Sequence, residues 1–100
     1  MSELSRVVKV SELAKILQVV IIIARHPAKY SAEELAVTMG VSRATLFRYL
    51  GDARHMGADV VLVPARGYEV RNWSDCRRTV ETWYDLEVRR DFRDDQPSLV

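Results

Sequence analysis

The sequence predicts a mainly α-helical (α+β) domain that carries one small β-hairpin and ends in an added helix. Three observations predict it. Two short helical patterns joined by a tight turn lie within residues 31–50. A β-branched run, a turn and an alternating run follow within residues 59–71. A long apolar segment precedes these elements and an aromatic-rich helical pattern follows them, so the expected order is three helices, a hairpin and a fourth helix.

The composition sets limits on the class of protein. One hundred residues are enough for a single modest core, and 48% hydrophobic with 29% charged residues is typical of a globular chain. The net charge is only +1. Residues 41–71 carry five arginines against three acids, whereas residues 74–100 carry five arginines against seven acids. The middle is therefore slightly basic and the end slightly acidic, and charge alone does not predict a nucleic-acid partner.

The sequence lacks the residues that several classes of protein need for their function. Cys76 is the only cysteine, which excludes an internal disulfide, and His26 and His55 have no spacing typical of metal ligands. The apolar run over residues 16–24 is too short for a membrane span, which needs ~20 residues. No phosphate loop, nucleophile elbow or pair of acids on one helix face that would indicate catalysis is evident in the sequence. We therefore expect a soluble cytoplasmic protein that is not an enzyme, with no cofactor, metal or evident small-molecule ligand.

The first helix is predicted from the spacing of apolar residues after Ser11, which can cap it. His26-Pro27 ends it, because the residue before a proline is disfavoured in the α region. Residues 6–10 fit either a short strand or the lead-in to this helix. The apolar stripe is wider than one helix face, so another element or a second chain must cover it.

The second and third helices form a helix-turn-helix pattern over residues 31–56. Ser31 and Glu34 make a capping box at the start of the second helix. Gly40 supplies the tolerance of positive φ that a tight turn requires, and Ser42 caps the third helix. The usual role of such a third helix is to enter a DNA groove.

The hairpin follows Gly57, which is expected to stop the third helix at residue 56. A hairpin over residues 59–71 directly after a reading helix is the winged form of the motif. Its register stays open at this stage. A four-residue loop pairs Val63 with Tyr68, a five-residue loop pairs Leu62 with Tyr68, and the two registers bury opposite faces.

A last helix is predicted over residues 73–92, capped by Asn72 or Ser74, and residues 93–100 are expected to form a flexible tail. Residues 1–72 are then the winged domain, and the last helix serves packing or dimerisation. Steps of ~100° per residue place five of its side chains in one stripe. These are Trp73, Cys76, Val80, Trp83 and Tyr84.

The third helix has one face suited to DNA. The same helical step directs its leucines inward and places Ala44 and Arg48 on the opposite face. Small Ala44 permits close approach of the helix, and Arg48 can reach a guanine edge or a phosphate. Arg66 lies at the hairpin tip, where a cation can meet a phosphate or a minor groove. The candidate DNA-binding residues are Ser42, Arg43, Ala44, Thr45, Phe47, Arg48 and Arg66.

Several neighbouring residues have two interpretations. Gly51 indicates either close approach of another backbone or a tolerated glycine near a helix end. Asp52 repels phosphate unless it accepts a hydrogen bond from cytosine. Phe47 either packs inside the chain or meets a thymine methyl, whereas Tyr49 is expected to pack. Arg54 and Arg71 are interpreted as solvated surface residues.

Residues 31–71 also resemble a known family. The runs GVSRATLFRYL and GADVVLVPARGYEV are similar to the winged helix-turn-helix domain at the N-terminus of bifunctional biotin ligase/biotin-operon repressors. DeoR-type and WYL-protein N-terminal domains share this pattern, including the Gly67-Tyr68 pair after the turn. The resemblance covers roughly residues 13–71, with Gly57 and Gly67-Tyr68 as its most specific part.

The resemblance implies DNA binding through the third helix and the wing. Ser42, Arg43, Thr45 and Arg48 lie on matching positions in that helix, and Arg66 lies in the wing. DeoR-type domains usually carry a second basic residue at the position of Phe47 and an acid at the position of Tyr49. A ligase catalytic domain is not part of the sequence, so neither ligase activity nor small-molecule sensing is carried over.

The function predicted from the sequence is that of a homodimeric, sequence-specific regulator of transcription, a repressor or activator from a bacterium or phage. Single modules bury little DNA surface, and a dimer supplies two half-sites. The expected dimerisation residues are Val19, Ile22, Trp73, Val80, Trp83 and Tyr84. The alternative is a winged-helix adaptor that binds proteins without specific DNA binding. A third possibility is a fragment whose effector domain lies outside this sequence.

Overall fold

The computed structural model describes the backbone of residues 2–95 and the side chains of residues 12–89. It confirms a mainly α-helical fold with a small antiparallel hairpin. The elements in chain order are α1 (Ser2–Arg25), α2 (Ala32–Met39), α3 (Arg43–His55), β1 (Val60–Val63), β2 (Gly67–Val70) and α4 (Trp73–Asp95).

Helix α1 is longer than predicted, because its backbone is helical from Ser2 onward. The strand interpretation of residues 6–10 is therefore wrong, and Ser11 lies inside the helix instead of capping it. The helix ends at Arg25, next to His26-Pro27, as the sequence predicted. Helix α4 packs along α1 and gives this long helix a partner outside the winged domain.

The helix-turn-helix has the predicted capping groups. Ser31 Oγ accepts a hydrogen bond from the Glu34 N–H at 3.2 Å, and Glu34 Oε1 accepts one from the Ser31 N–H at 3.0 Å. Gly40 ends α2 with φ at 69°. Helix α3 ends at His55, one residue before the predicted end, with Met56 as its C-cap. These local contacts set the two helix boundaries around the turn.

The hairpin adopts the register in which Leu62 pairs with Tyr68. Val63 also pairs with Gly67, so the loop is residues 64–66 and is shorter than the five residues expected for this register. This register turns Tyr68 and Val70 toward the core, where each is less than a tenth exposed. The connection between α1 and α2 lies along the other edge of β2. The Ala28 N–H donates to Tyr68 O at 2.8 Å, and the Tyr68 N–H donates to Tyr30 O at 3.0 Å. The connection between α1 and α2 therefore anchors the hairpin.

The hydrophobic core forms around α1, which is covered by α2, α3, β2 and α4. This enclosure explains the wide apolar stripe of α1. Val19 has no exposed surface and Val80 is 8% exposed. Both residues were predicted to lie on a dimer surface, and both belong to the core of the single chain. The largest fully buried side chains are Leu17, Val19, Val20, Ile23, Leu35, Leu46, Leu50 and Val60.

Helix α4 differs from the prediction at both ends. It continues to Asp95, so residues 93–95 are helical, and residues 96–100 lie outside the described part of the chain. At its start, the Asn72 side chain does not cap the helix. Its carboxamide donates to Gly57 O at 2.8 Å and accepts from the Asp59 N–H at 2.8 Å. Asn72 thus fastens the α3–β1 connection to the beginning of α4.

The stripe predicted along α4 is only partly buried. Trp73, Cys76 and Tyr84 pack against the core at intermediate exposure, whereas Trp83 is 47% exposed.

Among the helices that the structure describes, none combines the length and the apolar character that a membrane crossing requires.

Candidate nucleic-acid interface

Helix α3 is held by one face and leaves the other face open. Leu46 and Leu50 are completely buried, and Tyr49 is 3% exposed. On the opposite side Ala44 and Arg48 are exposed. The helical step predicted the division between the leucines and the face of Ala44 and Arg48, because position along a helix determines which side chains share a face. The separate expectation that Tyr49 packs inside the chain is also confirmed. The open face contains the candidate DNA-binding residues of α3.

The first turn of α3 is built by two hydroxyl groups. Ser42 Oγ accepts the Thr45 N–H at 3.1 Å and donates its own hydrogen to Thr45 Oγ1 at 3.0 Å. Ser42 is therefore the N-cap, in an extended conformation at φ −73° and ψ 162°. Because Thr45 Oγ1 acts as an acceptor for Ser42, its own hydrogen remains able to donate outward to a phosphate oxygen.

Arg43 lies between an acid and an aromatic ring. Its Nη1 is 3.5 Å from Glu33 Oε1, and its guanidinium carbon is 5.8 Å from the centroid of the Phe47 ring. Both charged side chains are well exposed, at 62% for Arg43 and 74% for Glu33. Phe47 is itself 46% exposed, so it is not a core residue. The aromatic ring supports a cation on the open face of α3.

Arg48 contacts a residue that the sequence did not indicate. Its Nη2 donates to Glu12 Oε1 of α1 in an ion pair, and its guanidinium carbon is 5.9 Å from the Tyr49 ring. Burial raises the pKa of the Tyr49 hydroxyl, and the nearby Glu12 carboxylate raises it further. Glu12 and Arg48 are 36 positions apart, so no local pattern links them. Only the packing of α1 against α3 brings them together.

Arg66 occupies the tip of the hairpin turn, where its backbone N–H donates to Val63 O at 3.0 Å. Ala65 beside it has a positive φ of 64°. No ion pair or side-chain hydrogen bond of Arg66 occurs within the described side chains of residues 12–89. Its exposed guanidinium is therefore available for a phosphate, unlike that of Arg71, which is 3.7 Å from a Glu69 oxygen.

Arg54 requires a correction. The sequence suggested a solvated surface arginine, but its Nε donates to Val60 O at 2.9 Å. This hydrogen bond joins the last turn of α3 to the first residue of β1. Arg54 therefore helps to set the position of the hairpin relative to α3, and no sequence signal distinguishes it from other surface arginines.

Gly51 and the acids complete the surface. A Cβ added at Gly51 would meet no atom of the described residues beyond its own stretch of helix within 4 Å, so no close approach among those residues requires this glycine. Three arginines on the candidate surface, Arg43, Arg48 and Arg66, are accompanied by Glu12, Glu33 and the exposed Asp52. The surface is polar and aromatic, but it is not strongly basic.

Two capped helices joined at Gly40, an outward face on the second of them and a following hairpin define a winged helix-turn-helix domain. Residues 15–69, more than half of the chain, match a family model described as an HTH domain. The chain belongs to this HTH domain family. No curated protein and no solved structure matches the chain.

The family is a DNA-binding regulatory one and not an enzymatic one. The chain is therefore a regulator of the helix-turn-helix DNA-binding kind. This confirms the winged helix-turn-helix predicted from the sequence, at the level of fold and of general function.

Proposed function

We propose that the protein binds specific double-stranded DNA sequences and regulates transcription, with α3 in the major groove. The observation that carries this proposal is the division of α3. Its inner side is locked into the core by Leu46 and Leu50, and its outer side is open along its length. A helix held in this way enters a groove as a rigid body, at little cost in conformational entropy.

The proposed contacts follow from the chemistry of each side chain. Arg43 and Arg48 bind guanine edges or phosphates, and Phe47 meets a thymine methyl. Ala44 permits close approach of the helix backbone. Thr45 donates its hydroxyl hydrogen to a phosphate, while Ser42 holds the end of the helix that points toward the DNA.

The hairpin tip is proposed to lie at the neighbouring DNA backbone or minor groove. Arg66 provides the contact, because its guanidinium is exposed and makes no ion pair with the described side chains. Replacing Arg66 by glutamine should weaken binding to all duplexes and reduce the salt slope by about 0.9 if one phosphate contact is lost. Arg71→Gln is the matched control, since Arg71 is beside Glu69 and away from the tip.

The protein is further proposed to act as a homodimer, a prokaryotic or phage repressor that reads two half-sites. A single module of this kind buries only about 600–1,000 Å² on DNA. Ile22 and Tyr84 border a groove between α1 and α4, and Trp83 exposes 47% of its surface on α4. Trp73 is partly exposed at the start of the same helix. These four residues are the proposed contacts with the partner, although Trp83 lies at a separate pocket beside Met56 and Thr79.

Selection of bound duplexes from a random DNA pool tests the proposal. A specific regulator should enrich one motif, and a homodimer should enrich a motif with two-fold symmetry and half-sites about one helical turn apart. Arg48→Ala should then cost ~1–3 kcal/mol at one base position if Arg48 reads a base edge. Enrichment of an asymmetric motif would retain specific binding and reject the dimer.

An adaptor that binds another protein is the second candidate function. It is favoured by the carboxylates that already neutralise Arg43 and Arg48, and by Val37, which is 81% exposed on α2. The same selection separates the two functions. The adaptor is supported if no motif is enriched and if Arg43→Ala and Arg48→Ala leave weak DNA binding unchanged.

A further inference from the structure

We propose that Glu12 sets the DNA specificity of the protein by holding Arg48 away from phosphates until a matching base edge is present. This inference rests on the proposed DNA-binding function. Glu12 lies on α1, outside the helix-turn-helix, and nothing in the pattern of α3 indicates such a role. Glu12 is a positioning residue, because it acts through Arg48.

The Glu12–Arg48 pair lies at the surface, but its carboxylate is better shielded than that of the other ion pair on α3. Glu12 and Arg48 project from two different helices, and the positions of those helices are set by the core around Leu17 and Leu50. The Glu12 side chain is 37% exposed and the Arg48 side chain 56%, and the Tyr49 ring lies beside the guanidinium. The packing of α1 against α3 therefore places the Glu12 carboxylate next to the open face of α3. Little conformational entropy of the backbone is lost when Glu12 pairs with Arg48.

Arg43 offers a direct comparison on the same helix. Its partner Glu33 is 74% exposed, and the two atoms that face each other are 3.5 Å apart. Exposed pairs of this kind contribute little and rearrange easily, because water and salt screen them. Arg43 can thus turn to any phosphate, whereas Arg48 is paired with a carboxylate that is less exposed, at 37% for Glu12 against 74% for Glu33.

The consequence for DNA binding follows from the two kinds of acceptor. Non-specific affinity grows with the number of phosphates that the protein neutralises, and each one releases condensed counterions. With Arg48 bound to Glu12, that contact is not made on random DNA. A guanine edge presents two uncharged acceptors, N7 and O6, which match a guanidinium and are not repelled by the Glu12 carboxylate. A phosphate that approaches Arg48 is repelled by the like charge of Glu12. Glu12 therefore suppresses non-specific binding more than specific binding.

Glu12→Gln tests this inference because it removes the charge and keeps the shape of the side chain. The affinity of the full chain for a duplex of unrelated sequence should rise roughly 5–10-fold at 0.1 M salt, and the salt slope should steepen by about 0.9. Affinity for the selected duplex should rise by a smaller factor, so the ratio of specific to non-specific affinity falls. Glu33→Gln is the matched control, and its effect on this ratio should be smaller.

Arg48→Gln tests whether Glu12→Gln changes DNA affinity through Arg48. In the Glu12→Gln/Arg48→Gln double variant the gain in non-specific affinity should disappear, leaving the affinity of Arg48→Gln alone. The same two substitutions should be non-additive in the urea midpoint of the DNA-free protein, which reports the ion pair without any DNA.

The outcomes separate the inference from the function on which it rests. The inference is overturned, and the proposed function retained, if the wild type selects a motif but Glu12→Gln equals Glu33→Gln. It is also overturned if the double variant keeps the gain or if the urea midpoints are additive. If no variant binds any duplex at low salt, the proposed function is rejected together with the inference.

Discussion

Gly67 lies so close to Tyr30 that a Cβ added at Gly67 would be 2.6 Å from the Tyr30 carbonyl oxygen and 2.7 Å from its nitrogen. Its φ of 153° is also one that side-chain-bearing residues rarely adopt. The hairpin can therefore approach the α1–α2 connection only because residue 67 has no side chain. This approach permits the hydrogen bond from the Tyr68 N–H to Tyr30 O.

Gly67→Ala should consequently destabilise the protein by ~2–5 kcal/mol, from overpacking against backbone atoms together with backbone strain. Urea unfolding of the purified variant measures this loss. Gly51→Ala is the matched control, since its added Cβ meets no atom within 4 Å among the described residues outside its own stretch of helix. It should stabilise α3 by ~0.5–1 kcal/mol through helix propensity. Equal effects of the two substitutions would contradict the packing argument.

Ser42 allows helix capping to be separated from DNA binding. Ser42→Ala should lose ~0.5–2 kcal/mol of stability, because the Thr45 N–H loses its acceptor. Ser42→Asp should retain most of the stability, since aspartate is a good N-cap, yet it places a negative charge at the end of α3 proposed to face phosphates. Thermal melting and DNA binding of both variants check this. An aspartate variant that binds DNA like the wild type would place this end of α3 outside the DNA interface.

Asn72 should matter for stability more than its place in a surface turn suggests. Asn72→Ala removes the acceptor for the Asp59 N–H and the donor to Gly57 O, and should cost ~1–3 kcal/mol. Ser74, the other candidate cap of α4, is exposed, and Ser74→Ala should change the stability by less than ~0.5 kcal/mol. Chemical denaturation distinguishes them. A larger loss for Ser74→Ala would mean that Ser74, and not Asn72, secures the start of α4.

Tyr49 should make the protein sensitive to alkali. Burial raises the pKa of its hydroxyl, so the folded state keeps the proton at pH values where the unfolded chain, with a pKa of about 10, releases it. Its contribution to stability is full below pH ~10 and is lost as the pH rises through the folded-state pKa. Tyr49→Phe should therefore reduce the fall of the urea midpoint between pH 9 and pH ~11. Parallel pH profiles for the two proteins would show that Tyr49 does not ionise on unfolding.

The helix boundaries around the turn were predictable because their signals are local. The Ser31–Glu34 box, Gly40 and Ser42 each act over three or four residues, and the structure has all of them in the predicted roles. The inward side of α3 was also predictable, since the helical repeat fixes which side chains share a face. The start of α1 was not, because Ser11 offered a local capping signal although the helical backbone begins at Ser2.

The hairpin shows the limit of local reasoning most clearly. Its existence followed from residues 59–71, but two registers remained possible. The choice of Leu62 opposite Tyr68 coincides with the hydrogen bonds of Tyr68 to Ala28 and Tyr30. Those contacts join segments about 40 positions apart, which no pattern within the hairpin encodes. Similarly, Asn72 was predicted to cap the last helix because it directly precedes that helix. Its actual partners, Gly57 and Asp59, lie before the hairpin, so no local pattern indicates them.

The sequence by itself thus determined the class of fold, the helix-turn-helix, the presence of the hairpin and the set of arginines near the reading helix. Tertiary structure decided how those arginines are held. It gave Arg48 a carboxylate from α1, left Arg66 exposed, and assigned Val19 and Val80 to the core. The physical reason is the distance along the chain over which each interaction acts. Capping and helical periodicity act within one or two turns, whereas ion pairing and burial depend on which distant segments pack together.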